Sequence, residues 1–315
     1  MPEGFTHVTL AKCAAKNAGW VILDQAAFAA GANGPDIFFS FEGWKSAEDR
    51  RYDMKGLGNR MHNERTGAFL RALCKQAKTQ TQLDYFMGFL AHYAVDTTVH
   101  PFVQLVSKKG QLYGKKCGHG YFEIALDSYV CEQYALKRDF GIDEFAPMLT
   151  GAALAEVAGQ LDRAIEETYG IRVPREYITD AIFDNRRIRS IFRSPIGIKR
   201  AIFWLIEPIF GGRGVLTVHV HPRRLRGLSR RAIARGKGLP NPWVDPTTGE
   251  EHAETMSQLL TRAIKRTTTL YNTLLSPETA RHFWEVLGSY DYVTGTETEA
   301  SAFDPAKHAT TSQVG

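Results

Sequence analysis

Apolar residues recur three and four positions apart through most of the chain, as in RTGAFLRALCKQA, TQLDYFMGFLAHYAVD, ALAEVAGQLDRAIEETY and MSQLLTRAIKRTTTLYNTLL. That is the spacing of one face of a helix. No segment alternates apolar and polar residues over the length of a strand. The pattern predicts an all-α fold, a bundle of many helices. Glycine and proline cluster where helices should break: GANGPD at 31–36, the glycine- and charge-rich stretch 40–60, KKGQLYGKKCGHG, and GLPNPWVDPTTGEE. The last segment, TGTETEASAFDPAKHATTSQVG, is polar and aperiodic, so 294–315 is expected to be a disordered tail. The expected organisation is a helical core at 1–140, a helical remainder packed on it at 141–293, and that tail.

With 43% hydrophobic residues in 315, the chain can bury one large core. Four cysteines without a CxxC pair suit reduced, mostly buried thiols rather than a disulfide frame or a zinc finger. The N-terminal stretch lacks a basic region followed by an apolar one, so a Sec-type signal is not expected and cytoplasmic residence is. The longest apolar candidate, AIFWLIEPIF, is broken by Glu207 and preceded by Lys199 and Arg200, well short of the roughly 20 residues of a membrane span. Charge is uneven: 186–237 holds fourteen Lys or Arg against one acid, Glu207, interleaved with Ile188, Ile191, Phe192, Ile202, Phe203 and Trp204. Three readings of this basic segment stand open: peripheral contact with anionic lipid headgroups, a path for nucleic acid phosphates, or a solvated appendage.

Candidate chemistry is concentrated earlier. In FLAHYAVDTTVHP, His92, Asp96 and His100 repeat at four-residue intervals, and in GHGYFEIALD His119, Glu123 and Asp127 do the same. Residues four apart lie one above the other on a helix, so each His and acid pair can grip one ion from consecutive turns. Eight helical residues rise about 12 Å, so His92 and His100 cannot share an ion, whereas Asp96 with two oxygens can lie between neighbouring ions. An isolated pair of this kind is usually a surface ion pair. Both pairs here sit among apolar residues (Phe89, Leu90, Val95 and Val99; Phe122, Ile124 and Leu126), and a buried carboxylate needs a partner or a metal. Reading upstream completes an ordered series: His7, Asp36, His62, His92, Asp96, His100, His119, Glu123. His219, His221, His252, His282 and His308 have no acid four residues on and are read as surface or core histidines. Cys117, two residues before His119, is a weak further ligand candidate.

THVTLA at the start, GPDIFF, the lone histidine of MHNERTGAF, HYAVDTTVHP and HGYFE together resemble the zinc-dependent phospholipase C family, whose members share an all-α fold with the P1/S1-type nucleases. The resemblance covers about residues 1–135. It implies two or three zinc ions: one between Asp36, His62, His92 and Asp96, a second on His100, His119 and Glu123, and a third on His7 with Asp96 bridging. It also implies that Asp36 accepts the proton of the attacking water. In secreted members a leading Trp completes the third site; this chain has no Trp near its start, and a Pro2 amine freed by methionine removal is a substitute candidate.

A mixed histidine and carboxylate set suits zinc, and clustered zinc ions suit phosphoester hydrolysis. No GxSxG elbow, P-loop, GxGxxG fingerprint or His-Asp dipeptide argues for another chemistry. The expected function is a metal-dependent phosphodiesterase of phospholipase C type acting on a phospholipid headgroup. A P1/S1-like nuclease or nucleotidase and a non-catalytic metal-stabilised interaction module are the alternatives.

Overall fold

The computed structural model describes residues 4–115, 117–134, 141–194, 196–221 and 227–298. The helical spacings become α1 (Gly4–Asn17), α2 (Gln25–Ala32), α3 (Met54–Asn63), α4 (Thr66–Lys75), α5 (Gln80–Ser107), α6 (Gly118–Tyr134), the single turn α7 (Ile142–Phe145), α8 (Gly151–Tyr169), α9 (Arg175–Phe192), α10 (Ile198–Ile206), α11 (Gly227–Arg235), α12 (Met256–Leu275) and α13 (Phe283–Leu287). A 3-10 helix, Gly34–Ser40, joins α2 to α3. The regular strands among the described residues are the two-residue antiparallel pair Trp243–Val244 and Glu251–His252. The fold is all-α, as the periodicity predicts.

The 28-residue α5 is the axis, with almost every residue from Asp84 to Val103 buried. A helix apolar on all sides has no solvent face and belongs in the middle. Its N-terminus is capped by Thr79, and its flank is pinned by the buried Asp84. The Asp84 carboxylate accepts from Trp20 Nε1 at 3.0 Å, Leu23 N at 3.1 Å and Asp24 N at 2.8 Å, which fixes the turn between α1 and α2. There α2 lies directly against α5. A Cβ on Gly31 would fall 2.0 Å from the Tyr85 carbonyl oxygen, and one on Gly88 would fall 2.1 Å from that of Phe28. Only glycine permits such backbone contact.

On the other side α12 is capped by a reciprocal Thr255 and Gln258 box and lays Leu259, Leu260, Ala263, Ile264, Leu270 and Tyr271 inward. One hydrophobic core runs from Phe5 in α1 to Tyr292. Residues 294–298 of the expected tail fold back, with Thr298 N donating to Ser289 O at 2.7 Å and a bridge between Tyr290 and Glu297. The rest, 299–315, lies outside the described residues.

Candidate metal centre

His92, Asp96 and His100 share one face of α5, and the short side chain of Asp96 reaches both histidines. Its Oδ2 is 3.2 Å from His92 Nε2, and its Oδ1 is 3.4 Å from His100 Nδ1. His7 comes in from α1, with Nε2 3.1 Å from the same Oδ1 and its ring 4.2 Å from that of His92. From α6, Glu123 Oε1 stands 3.2 Å from His100 Nε2 and 2.8 Å from His119 Nε2. Asp36 of the 3-10 helix and His62 of α3 close the other end, Oδ1 to Nε2 at 3.2 Å. Seven of these eight residues are buried; the His119 side chain alone is appreciably exposed, at 34%.

Backbone carbonyls set the histidine tautomers. His62 Nδ1 lies 2.7 Å from Gly58 O, one turn back in α3, and His92 Nδ1 lies 3.1 Å from Ala32 O, across the close contact of α2 and α5. A carbonyl can only accept, so each Nδ1 carries the hydrogen and each Nε2 turns its lone pair to a carboxylate. While these rings are neutral, lone pair therefore faces lone pair. His92 Nε2, Asp96 Oδ2 and His100 Nδ1 are buried without a hydrogen-bond partner, although the facing atoms are within 3.4 Å. Buried polar atoms left in this way cost about 1–3 kcal/mol each unless a cation joins them.

Neighbouring charges oppose the cost of burial. Burial alone would raise the Asp96 carboxyl, yet His100, His92 and His7 hold it well below the usual carboxylate range. Burial would likewise raise Asp36, but His62 and His92 keep it low. Against the cost of its own burial, His100 is pushed up to about 10 by Asp96 and Glu123.

Neighbouring residues hold the cluster in place. Gly34 (φ 54°) takes a left-handed turn directly over His92, where a Cβ would stand 2.2 Å from the ring. Asp127, one turn beyond Glu123 on α6, accepts from Phe5 N, from Thr6 N at 2.8 Å and from the Thr6 hydroxyl. It thus caps the start of α1 and sets the position of His7. Its fourth donor is His221 Nε2 at 2.9 Å. His221 is therefore a buried supporting residue, which the four-residue spacing rule had no means of finding because its acid lies 94 positions away. Tyr292 was also outside that rule: it is fully buried, its ring stacks edge-on against His62 at 5.1 Å, and its hydroxyl has no hydrogen-bond partner.

The donor set fits divalent cations. Ligand atoms converge within 4.8 Å of one another in three groups: His7, Asp36 and His92; His62, His92 and Asp96; His100, His119 and Glu123. A cavity of about 20 Å³, room for one ion or water, is bounded by His7, Asp96, His100, Glu123 and Asp127. Cys117 enters none of the three groups, and Pro2 and His308 lie outside the described residues.

The basic segment is only partly a solvated surface. Arg186 is bonded to Ala146 O and Asp143, the buried Arg189 lies against the Phe145 ring, and Arg200 donates to Thr217 O at 2.8 Å. Arg223, Arg224 and Arg226 lie outside the described residues.

A family model described as zinc dependent phospholipase C matches residues 6–178, more than half of the chain and all eight residues above. No curated protein and no solved structure matches.

Proposed function

Because the chain belongs to the zinc-dependent phospholipase C family, we propose that this enzyme cleaves the phosphodiester between diacylglycerol and a phosphorylated headgroup. The observation that carries the reading is the buried pair His92 Nε2 and Asp96 Oδ2, which stand 3.2 Å apart, each without a hydrogen-bond partner. Asp36, His62, His92 and Asp96 would hold one zinc ion, His100, His119 and Glu123 a second, and His7 with Asp96 a third. Bound there, zinc supplies Lewis acidity toward a phosphoryl oxygen and acidifies water.

The chain's own residues do the rest. Ala32 O and Gly58 O keep the His92 and His62 rings turned to the centre. Asp96 gives each of its oxygens to a different histidine, so it can serve two neighbouring ions. Asp36, kept ionised at neutral pH by His62 and His92, takes the proton of the attacking water on Oδ2, since Oδ1 is turned to His62. The Leu126, Val95, Val99 and Val103 side chains line the adjoining cavity and keep bulk water out. No helix among the described residues is long and apolar enough to cross a membrane. His119, the one ligand candidate with an appreciably exposed side chain, marks the side from which substrate would reach the centre.

The test is parallel incubation of zinc-loaded enzyme with phospholipid vesicles and with single-stranded DNA, each with and without chelator. Chelator-sensitive release of diacylglycerol is expected. Cleavage of DNA with no diacylglycerol would replace this reading by the nuclease one, and zinc binding with neither product would leave a metal-stabilised interaction module.

A further inference from the structure

We propose that α10 and the turn after it form a docking ridge that seats the enzyme on an anionic phospholipid surface. The proposal rests on the phospholipid reading above for its purpose, but the exposed residues of the ridge itself lie beyond the matched region 6–178.

No residue of α10 is buried. Ile198, Ile202 and Leu205 follow at four and three positions, one helix stripe, and they are 57%, 49% and 66% exposed. Ile196, Trp204, Ile209 and Phe210 extend the exposed apolar surface, Ile209 to 82%. A soluble domain gains nothing by turning its isoleucines outward along a whole helix, and such a contiguous patch marks a surface that is covered in use. Its charges say by what. Lys199 is exposed within the ridge, and the Arg213 guanidinium lies 4.0 Å over the Trp204 ring. The single acid of the segment, Glu207, is buried and turned inward, accepting from Thr217 N at 3.0 Å and Thr217 Oγ1 at 2.8 Å. Apolar anchors flanked by cations, with no outward carboxylate in 186–237, match a bilayer with anionic headgroups.

The ridge is also fixed in place. Arg200 of α10 donates to Thr217 O, and the Thr217 hydroxyl bonds Tyr121 Oη at 2.7 Å. Val218 fills the space over Gly120, where a Cβ would meet it at 2.7 Å. Tyr121 and Gly120 directly follow His119, the one exposed member of the metal centre. The ridge is therefore anchored to the helix that supplies His119 and Glu123 to the metal centre.

The experiment is co-sedimentation of the zinc-loaded protein with vesicles of phosphatidylcholine alone and of phosphatidylcholine with phosphatidylglycerol, alongside hydrolysis of a short-chain phospholipid below its micellar concentration. Wild type should sediment with the anionic vesicles and show blue-shifted tryptophan emission. The double variant Leu205→Ser with Ile209→Ser should bind them about a hundredfold more weakly, with turnover of the monomeric substrate unchanged. Ile198→Ser with Ile202→Ser should repeat the loss, which guards against misfolding of one variant, and zinc content reports the fold of both. Equal vesicle binding by wild type and both variants would overturn the ridge, as would a dimer in sedimentation velocity that the variants dissolve, since a second copy would then be the cover. Vesicle binding without hydrolysis of any phospholipid would retain the ridge and discard the function proposed above; hydrolysis of monomers without vesicle binding would do the reverse.

Discussion

His92 Nε2 and Asp96 Oδ2 stand 3.2 Å apart in the interior, and neither atom has a hydrogen-bond partner. Two acceptors do not approach in a dry interior without a cation to join them. The folded apoprotein therefore carries a strain that zinc relieves, and zinc is expected to act on stability as well as on turnover. In a thermal scan, zinc at a hundredfold excess over its dissociation constant should add about 3 kcal/mol for each site it fills, and elemental analysis should return two or three equivalents. An unchanged melting temperature after complete chelation would contradict this.

Asp96 is the carboxylate shared by three histidines, so its loss should not be confined to one ion. Asp96→Asn keeps the shape and removes the charge. Zinc content is expected to fall by more than one equivalent, and activity by about a hundredfold or more, beyond the 10–100-fold usual when a residue that only supports a ligand is lost. Metal analysis beside kcat measurement decides it.

Gly34→Ala would set a methyl group 2.2 Å from the His92 ring at a backbone φ of 54°. Left-handed strain and overpacking together should cost about 3 kcal/mol. Denaturant titration reads the stability. Zinc affinity should fall with it, since the added methyl group displaces the ring of a candidate ligand.

Asp127→Ala removes the acceptor that joins Phe5 N, Thr6 and His221, and with it the hold on the start of α1. A loss of about 3 kcal/mol is expected. The zinc equivalent held through His7 should be lost before that held by His100, His119 and Glu123. Zinc titration of the variant distinguishes ordered loss from a general fall.

Acid stability should depend on Glu42, away from the metal centre. Against the cost of burial, bonds from Lys45 and from Arg51 lower its carboxyl from 4.5 to about 2. A group whose folded pKa is depressed stabilises fully above its unfolded value and loses that contribution as pH falls through the folded one. Wild type should therefore weaken between about pH 4.5 and 2. Glu42→Gln should be less stable at pH 7 and show a shallower slope across that window in urea titrations.

Five of the eight residues that the structure brings together were legible in the chain because two helices contribute them at the four-residue period, while His7, Asp36 and His62 were reached through the ordered series and the family resemblance. His92, Asp96 and His100, and likewise His119 and Glu123, are aligned by helix geometry alone. The buried surroundings of both pairs followed from their apolar neighbours. The position of Asp96 between two histidines also followed, since the rise per residue fixes how far one side chain can reach. By contrast His221 was set aside for want of a nearby acid, and its acid was Asp127, on another helix.

Sequence by itself thus determined the helical class and which imidazoles and carboxylates share a helix face, because local periodicity is written into neighbouring residues. Tertiary structure alone decided that Ala32 and Gly58 carbonyls turn the His92 and His62 rings inward. It alone placed Tyr292 against His62, fixed α1 to Asp127, and left the isoleucines of α10 outside the core. Each of these depends on which backbones approach closely enough to touch, as at Gly31 and Gly88, and such contacts join residues that no period along the chain relates.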